Sequence, residues 1–149
     1  MAPAAPSRQS PTSATDIEAT STLKLGDFAD IPCLNISEAR IILQKTLDTR
    51  KSKGAVMRET ETLIKTRDYL EIFSVFKEIP DAQALEGIVN VFGGKGLTNF
   101  EKSAIGSLVP SCADEAKTLI PSLVGKLSDD DLEDLCRQLQ RLKFQAQQR

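Results

Sequence analysis

Apolar residues recur every three or four positions along most of this chain, which is the spacing of one face of an α-helix. This pattern predicts a first helix over 37–51, with Ser37 as its N-cap, and a second over 59–76. Asp81 is the predicted N-cap of a third helix, which the Gly93-Gly94 pair ends by permitting left-handed dihedral angles.

The C-terminal third has the most regular pattern. A Thr-x-x-Glu capping box, Thr98 to Glu101, opens a fourth predicted helix, and Pro110 ends it. Ser111 caps a short fifth helix, and Ser128 caps the last one, whose first turn carries three acidic residues that suit the helix dipole. The sequence therefore predicts an all-α fold, a small helical bundle over residues 59–149.

The N-terminal region has a different pattern. Residues 1–21 are rich in Ala, Pro, Ser and Thr and predict a disordered tail. Residues 22–58 are predicted to form a partner-binding arm, which consists of a short strand and the first helix. Leu23 and Leu25 alternate with polar residues as in a half-buried strand, and nothing later in the chain supplies a sheet for it to join. This orphan strand is an argument for a partner protein.

The first helix carries more apolar residues than one face can hold. Ile41, Ile42 and Leu43 are consecutive and cover more than the usual stripe of roughly 100°. Two interpretations carry equal weight: a well-buried core helix, or a helix that packs on its own domain along one edge and on another protein along the other.

The amino-acid composition limits the classes of function that the chain can have. The 149 residues have a net charge of −2 and a pI near 5.3, which argues against a general nucleic-acid binder. The basic connector over 50–54 is better explained as a solvated loop than as a nucleic-acid contact. No stretch approaches the roughly 18 apolar residues that span a membrane, so we expect a soluble intracellular protein.

Several features of the sequence argue against catalytic, nucleotide-binding and metal-binding sites. The chain has no histidine and three widely spaced cysteines, predicted to be reduced and buried. The Gly93–Gly96 run lacks the first Gly and the Ser/Thr of a phosphate loop. The acids at 129–134 fan around a helix start instead of forming a metal site. The sequence predicts no enzyme, no cofactor and no metal.

The last third resembles a known family. The runs Asn99-Phe100-Glu101, Ile105 to Leu108 and Ala113 to Leu123 closely resemble the subunit-four family of eukaryotic RNA polymerase II, and Leu119 to Leu123 is the most specific part. The resemblance covers 22–143. It implies a helicase-and-RNase-D C-terminal-like fold and a heterodimer with subunit seven, whose β-sheet would accept the orphan strand. The related polymerase III stalk subunit and a free-standing helical nucleic-acid-binding domain stay as alternatives.

The same resemblance implies a role and a place. The heterodimer forms the stalk beside the RNA exit channel and contacts the polymerase core. It supports initiation and clamp closure. It also helps to guide nascent RNA, which it touches weakly or indirectly, and to recruit factors. We expect a nuclear protein with a further cytoplasmic role and no membrane contact. The predicted partner-binding residues are Leu23, Leu25, Phe28, Leu34, Ile41, Ile42 and Leu43.

Overall fold

A computed structural model of the chain describes residues 17–54, 56 and 58–148. Most of them are helical, which confirms the predicted all-α fold and small bundle. None of the helices in this part of the chain is long and apolar enough to cross a membrane. The strands are β1 (Glu18–Ala19) and β2 (Leu23–Lys24), and the helices are α1 (Ile36–Ser52), α2 (Glu61–Phe73), α3 (Ile79–Gly93), α4 (Asn99–Leu108), α5 (Ala113–Leu119) and α6 (Asp129–Gln147).

The core lies between α3, α4, α5 and α6. The last helix buries a stripe at helical spacing, as predicted, and packs it against α3 and α5. The buried residues of this stripe are Leu132, Leu135, Cys136, Leu139 and Leu142. Burying each of these leucines contributes about 1.5–3 kcal/mol, so the stripe makes a large contribution to the stability of the bundle.

Helices α1 and α2 form a hairpin that joins the bundle through α1. The start of α1 lies against α4, where Gly106 allows a close approach. A β-carbon at position 106 would lie 3.1 Å from the Asn35 amide nitrogen. The Ile36 backbone N–H donates to the Ser107 hydroxyl at 3.2 Å, and the Ser103 hydroxyl donates to the Leu34 carbonyl at 2.8 Å. The first helix is thus attached to the bundle by hydrogen bonds at its N-terminal end.

The predicted orphan strand is wrong, because its antiparallel partner comes earlier in the chain. Glu18 pairs with Lys24 and Ala19 with Leu23, and the Lys24 ammonium lies 3.5 Å from the Glu18 carboxylate. Leu25 lies outside the strand, just before a short turn of 3₁₀-helix over Gly26–Phe28. Such pairing uses backbone groups and needs no large apolar residue, so hydrophobic patterning could not reveal it.

The predicted C-terminal boundary of the disordered tail, residue 21, therefore lies too far along the chain. Glu18–Ala19 form a strand within the segment 1–21, and the rest of the prediction, over 1–16, lies outside the described residues. The division into an arm over 22–58 and a bundle over 59–149 stays a prediction about how the chain is used, since α1 itself packs against α2, α3 and α4.

Several helix ends differ from the prediction. Asn35, not Ser37, caps α1: its side chain accepts from the Glu38 backbone N–H, and the Glu38 carboxylate accepts from the Asn35 N–H, both at 2.9 Å. Ser37 is buried and accepts a hydrogen bond from the Phe76 backbone. Helix α3 begins two residues before Asp81, because Pro80 fits the first turn of a helix.

The C-terminal end of α3 also differs from the prediction that Gly93-Gly94 adopts left-handed dihedral angles. Gly94 keeps right-handed dihedrals (φ −62°), and the left-handed residue is Gly96 (φ +89°). Cys112, not Ser111, stands at the N-cap of α5, while the Ser111 backbone N–H donates to the Glu115 carboxylate at 2.7 Å. The capping box at Thr98 and the cap at Ser128 are confirmed.

Candidate partner-binding surface

The seven predicted partner-binding residues all keep surface that the folded chain does not bury. Phe28 is 57% exposed, Leu34 53% and Ile42 49%. The half-buried members are Leu23, Leu25, Ile41 and Leu43. Apolar side chains left open in this way are available for contact with another protein.

The structure brings three of the seven together. Leu34, Ile41 and Ile42 line one wall of an open groove between α1 and α3, with a volume of about 400 Å³. Ile79 and Ala82 line the other wall. Of the remaining four, Leu43 faces the crevice between α1 and α2, Leu23 and Leu25 lie at the N-terminal hairpin, and Phe28 ends the 3₁₀ turn that follows it. The seven residues therefore do not form one continuous wall.

Ile79 is the groove residue that sequence reasoning missed. Its side chain is 42% exposed, beside Pro80 in the first turn of α3. The prediction placed Ile79 in a linker, because it began the helix at Asp81. A proline in the first helical turn was the available signal that the helix starts earlier.

The interpretation of α1 as a well-buried core helix is wrong. Within α1, only Ser37 and Leu47 are buried. Ile41 and Leu43 are half-buried on opposite sides of the exposed Ile42, towards α3 and α2 respectively. The helix thus packs on its own chain along one edge and presents an apolar edge outward.

A second exposed apolar area lies on α2. Tyr69, Ile72 and Phe73 are each more than half exposed, and the Tyr69 and Phe73 ring centroids lie 4.6 Å apart. Phe73 has the helical spacing of Leu63 and Leu70, but only these two are turned towards the rest of the chain. Because α2 contacts mainly α1, its outer side has no neighbour within the described chain.

An ionic network fixes the α1–α2 hairpin next to the groove. The Glu71 carboxylate lies 2.6 Å from Arg40 Nε and 2.7 Å from Lys77 Nζ, and Arg40 also donates to the Lys77 carbonyl at 3.1 Å. Hydrogen bonds from Lys77 and Arg40 hold the pKa of Glu71 below its usual value. The network therefore joins α1 to α2 and to the segment after α2, with the small stabilisation typical of exposed ion pairs.

One carboxylate is completely buried, and hydrogen bonds from its neighbours pair it. Glu101 receives the Lys126 ammonium at 2.8 Å, the Ser122 hydroxyl at 2.6 Å and the Thr98 backbone N–H at 2.8 Å. Burial raises the pKa of Glu101, but these hydrogen bonds outweigh the burial and hold the pKa below its ordinary value. An ionised, fully paired carboxylate of this kind anchors the fold.

The cysteines and acids offer no metal site in the part of the chain that the structure describes, where no group of three suitable ligands comes together. All three cysteines are free thiols. Only Cys136 is buried as predicted, and burial raises its pKa to about 11, while Cys112 is half-buried and Cys33 exposed. The buried Cys136 thus serves as a small core residue, and Cys33 is open to solvent.

Comparison with known proteins supplies the family. The profile described as RNA polymerase Rpb4 matches residues 33–143. The chain is 34% identical over 131 residues to the DNA-directed RNA polymerase II subunit rpb4 of Schizosaccharomyces pombe, a match that covers 86% of this chain and 94% of that protein.

Two further relatives carry similar names. DNA-directed RNA polymerase II subunit RPB4 of Saccharomyces cerevisiae is 42% identical over 81 residues, which cover 54% of this chain and 35% of that protein. The Dictyostelium discoideum rpb4 subunit is 30% identical over 142 residues, with 85% and 89% coverage. The profile spans the groove wall on α1, all of α3 and the buried Glu101, and the resemblance seen in the sequence is confirmed. The chain belongs to the RNA polymerase Rpb4 family.

Proposed function

We propose that this chain is a non-catalytic subunit of DNA-directed RNA polymerase II that forms the stalk heterodimer with subunit seven. The names of its relatives support the assignment to polymerase II over polymerase III, since the relatives described above are all polymerase II subunits. The absence of histidine and the fully paired state of Glu101 support a non-catalytic role.

The observation that carries the proposal is the exposed apolar groove between α1 and α3. Exposed apolar side chains that lie together in a groove, in contrast to singly scattered ones, are a common mark of a protein-binding site. Leu34, Ile42 and Ile79 are each between 42% and 53% exposed; Ile42 lies on α1, Ile79 on α3, and Leu34 just before α1. A partner subunit that covered the groove would remove this surface from water.

In the polymerase, the dimer attaches the chain to the core beside the RNA exit channel. There it supports initiation and clamp closure and helps handle nascent RNA and factors, with at most a weak or indirect RNA contact of its own. The acidic pI near 5.3 supports this secondary role in RNA contact. The site of action is the nucleus, with a further role in the cytoplasm.

The test is co-expression with the subunit seven of the same organism, followed by affinity capture of the partner. Ile42→Asp places an unpaired charge in the groove wall, and Leu25→Asp does so at the N-terminal hairpin. Both variants should lose capture while the C-terminal bundle stays helical by circular dichroism. Wild-type capture of both would show that the surface is wrong.

Val91→Asp is the matched control. Val91 is 73% exposed on α3 and does not line the groove, so the same kind of substitution there should leave capture unchanged. Mass spectrometry of the captured complex should find subunits specific to polymerase II. Subunits specific to polymerase III in their place would overturn the polymerase assignment alone.

A further inference from the structure

The groove between α1 and α3 has charge as well as apolar surface. Its walls are lined by the aliphatic side chains described above, and the charged residues that line it are both acidic, Glu38 on α1 and Glu86 on α3. Gln83 lies one turn before Glu86 on the same helix. The groove is thus an apolar slot with a carboxylate on each side.

The two carboxylates differ in the hydrogen bonds that they already accept within the chain. Glu38 accepts the Asn35 backbone N–H at 2.9 Å and so completes the capping box of α1. Glu86 is exposed, and its carboxylate forms no ion pair or hydrogen bond within the described part of the chain. A free carboxylate at the edge of an apolar slot is available to a cation on whatever fills the slot.

The nearest lysine does not neutralise this edge. Lys102 lines the adjoining cavity, which shares Glu38 and Glu86 with the groove. Its ammonium lies at α3, only 2.9 Å from where a β-carbon on Gly93 would stand, and it pairs with neither carboxylate. Glu86 therefore has no direct ion-pair partner among the described side chains.

We propose that the partner segment that fills this groove presents an apolar side chain flanked by a lysine or arginine, and that Glu86 receives this cation. The inference rests on the proposed heterodimer and adds to it the chemistry by which the groove selects its occupant. Apolar burial supplies affinity, and the pair with Glu86 supplies orientation and discrimination against wrong partners.

A second copy of the chain is a poor occupant for the same reason. A two-fold contact through the groove brings the same surface patch from both copies together. The carboxylates of Glu38 and Glu86 would then approach their own counterparts, and like charges across an interface oppose association. Charge complementarity therefore favours a different protein with a basic residue at this point.

The experiment measures the affinity of the co-purified partner subunit for the full chain, with Glu86→Gln, Glu86→Lys and Ile79→Ala compared with the wild type. We expect Glu86→Lys to weaken binding by about tenfold or more, and Glu86→Gln to weaken it severalfold. Ile79→Ala should also weaken binding severalfold, because it shortens the second groove wall. Added salt should weaken the wild type more than Glu86→Gln.

Asp68→Lys is the matched control. It makes the same change of charge at an exposed position inside α2, away from the groove lining. All variants should unfold at the wild-type temperature or close to it, since Glu86 and Asp68 are both exposed. An equal loss of affinity in Asp68→Lys would assign the effect to long-range charge and overturn the inference.

The two proposals fail differently. If the wild type binds, Ile42→Asp does not, and Glu86→Lys binds like the wild type, the heterodimer stands and the basic occupant is refuted. If the wild type does not bind subunit seven at all, both proposals fall. Light scattering that shows a homodimer abolished by Ile42→Asp would replace the basic partner with a second copy.

Discussion

The buried carboxylate of Glu101 gives the sharpest prediction about stability. Glu101→Gln keeps the shape of the side chain and removes its charge. The amide places an N–H₂ group among donors, beside the Thr98 N–H, the Ser122 hydroxyl and the Lys126 ammonium. At least one of these donors then loses its acceptor in a site where the Glu101 side chain is 0% exposed.

The size of the effect follows from the exposure of the two partners. Breaking a fully buried ion pair by removing one partner costs about 3–5 kcal/mol. The Lys126 side chain is 32% exposed, so water compensates part of its lost partner. The capping box adds no further loss, because a glutamine oxygen can still accept the Thr98 backbone N–H. We therefore expect the free energy of unfolding to fall by about 2–4 kcal/mol.

Urea unfolding followed by far-ultraviolet circular dichroism measures this change. A double-mutant cycle with Lys126→Met separates the ion pair from the other bonds, since the coupling energy reports the pair alone. Asp134→Asn is the control, because it removes an exposed pair with Arg137 and should cost less than about 1 kcal/mol. An equally small loss in Glu101→Gln would refute the role of Glu101 as an anchor.

Three further predictions follow from the same contacts. Because the folded pKa of Glu101 lies below its ordinary 4.5, its stabilisation is present above that value and is lost as the pH falls through the folded pKa; acid titration of unfolding should show a smaller decline for Glu101→Gln than for the wild type. Gly106→Ala should destabilise the chain by about 1–3 kcal/mol in urea unfolding, less any gain in helix propensity, because the new methyl group presses on Asn35, whereas Gly87→Ala, with open space around it on α3, should not destabilise. A thiol reagent should modify Cys33 first and Cys136 only on unfolding, since Cys136 is buried with a pKa of about 11; rapid reaction of Cys136 in the native protein would contradict its buried position.

Local signals made much of the fold predictable. The capping box at Thr98 and the N-cap at Ser128 each depend on residues three positions apart, and the stripe on α6 repeats at the helical period. Every residue that such a signal involves lies within a single turn or helix. The prediction of Ser37 as the N-cap of α1 was wrong: Asn35 caps the helix, and Ser37 instead accepts a hydrogen bond from the distant Phe76 backbone.

Signals that depend on distant residues were not predictable. Phe73 has the spacing of an inward residue, yet it is 54% exposed because α2 packs mainly on α1 and no further helix covers it. The pairing of β1 with β2 rests on backbone groups, which sequence patterning does not report. The sequence predicted the residues of the α1 wall of the groove, because α1 carries more apolar residues than one face can hold. The α3 wall could be identified only from the tertiary structure.

The attachment of α1 to α4 has a mechanical consequence. Two hydrogen bonds, from Ser103 to Leu34 and from Ile36 to Ser107, and the close approach at Gly106 all lie at one end of a 17-residue helix that is about 25 Å long. That end fixes the α1 wall of the groove to the C-terminal bundle. A protein seated in the groove would thereby be held at a set angle to the C-terminal bundle. Variants at Ser107 should alter the angle of the bound partner while leaving the apolar contact itself in place.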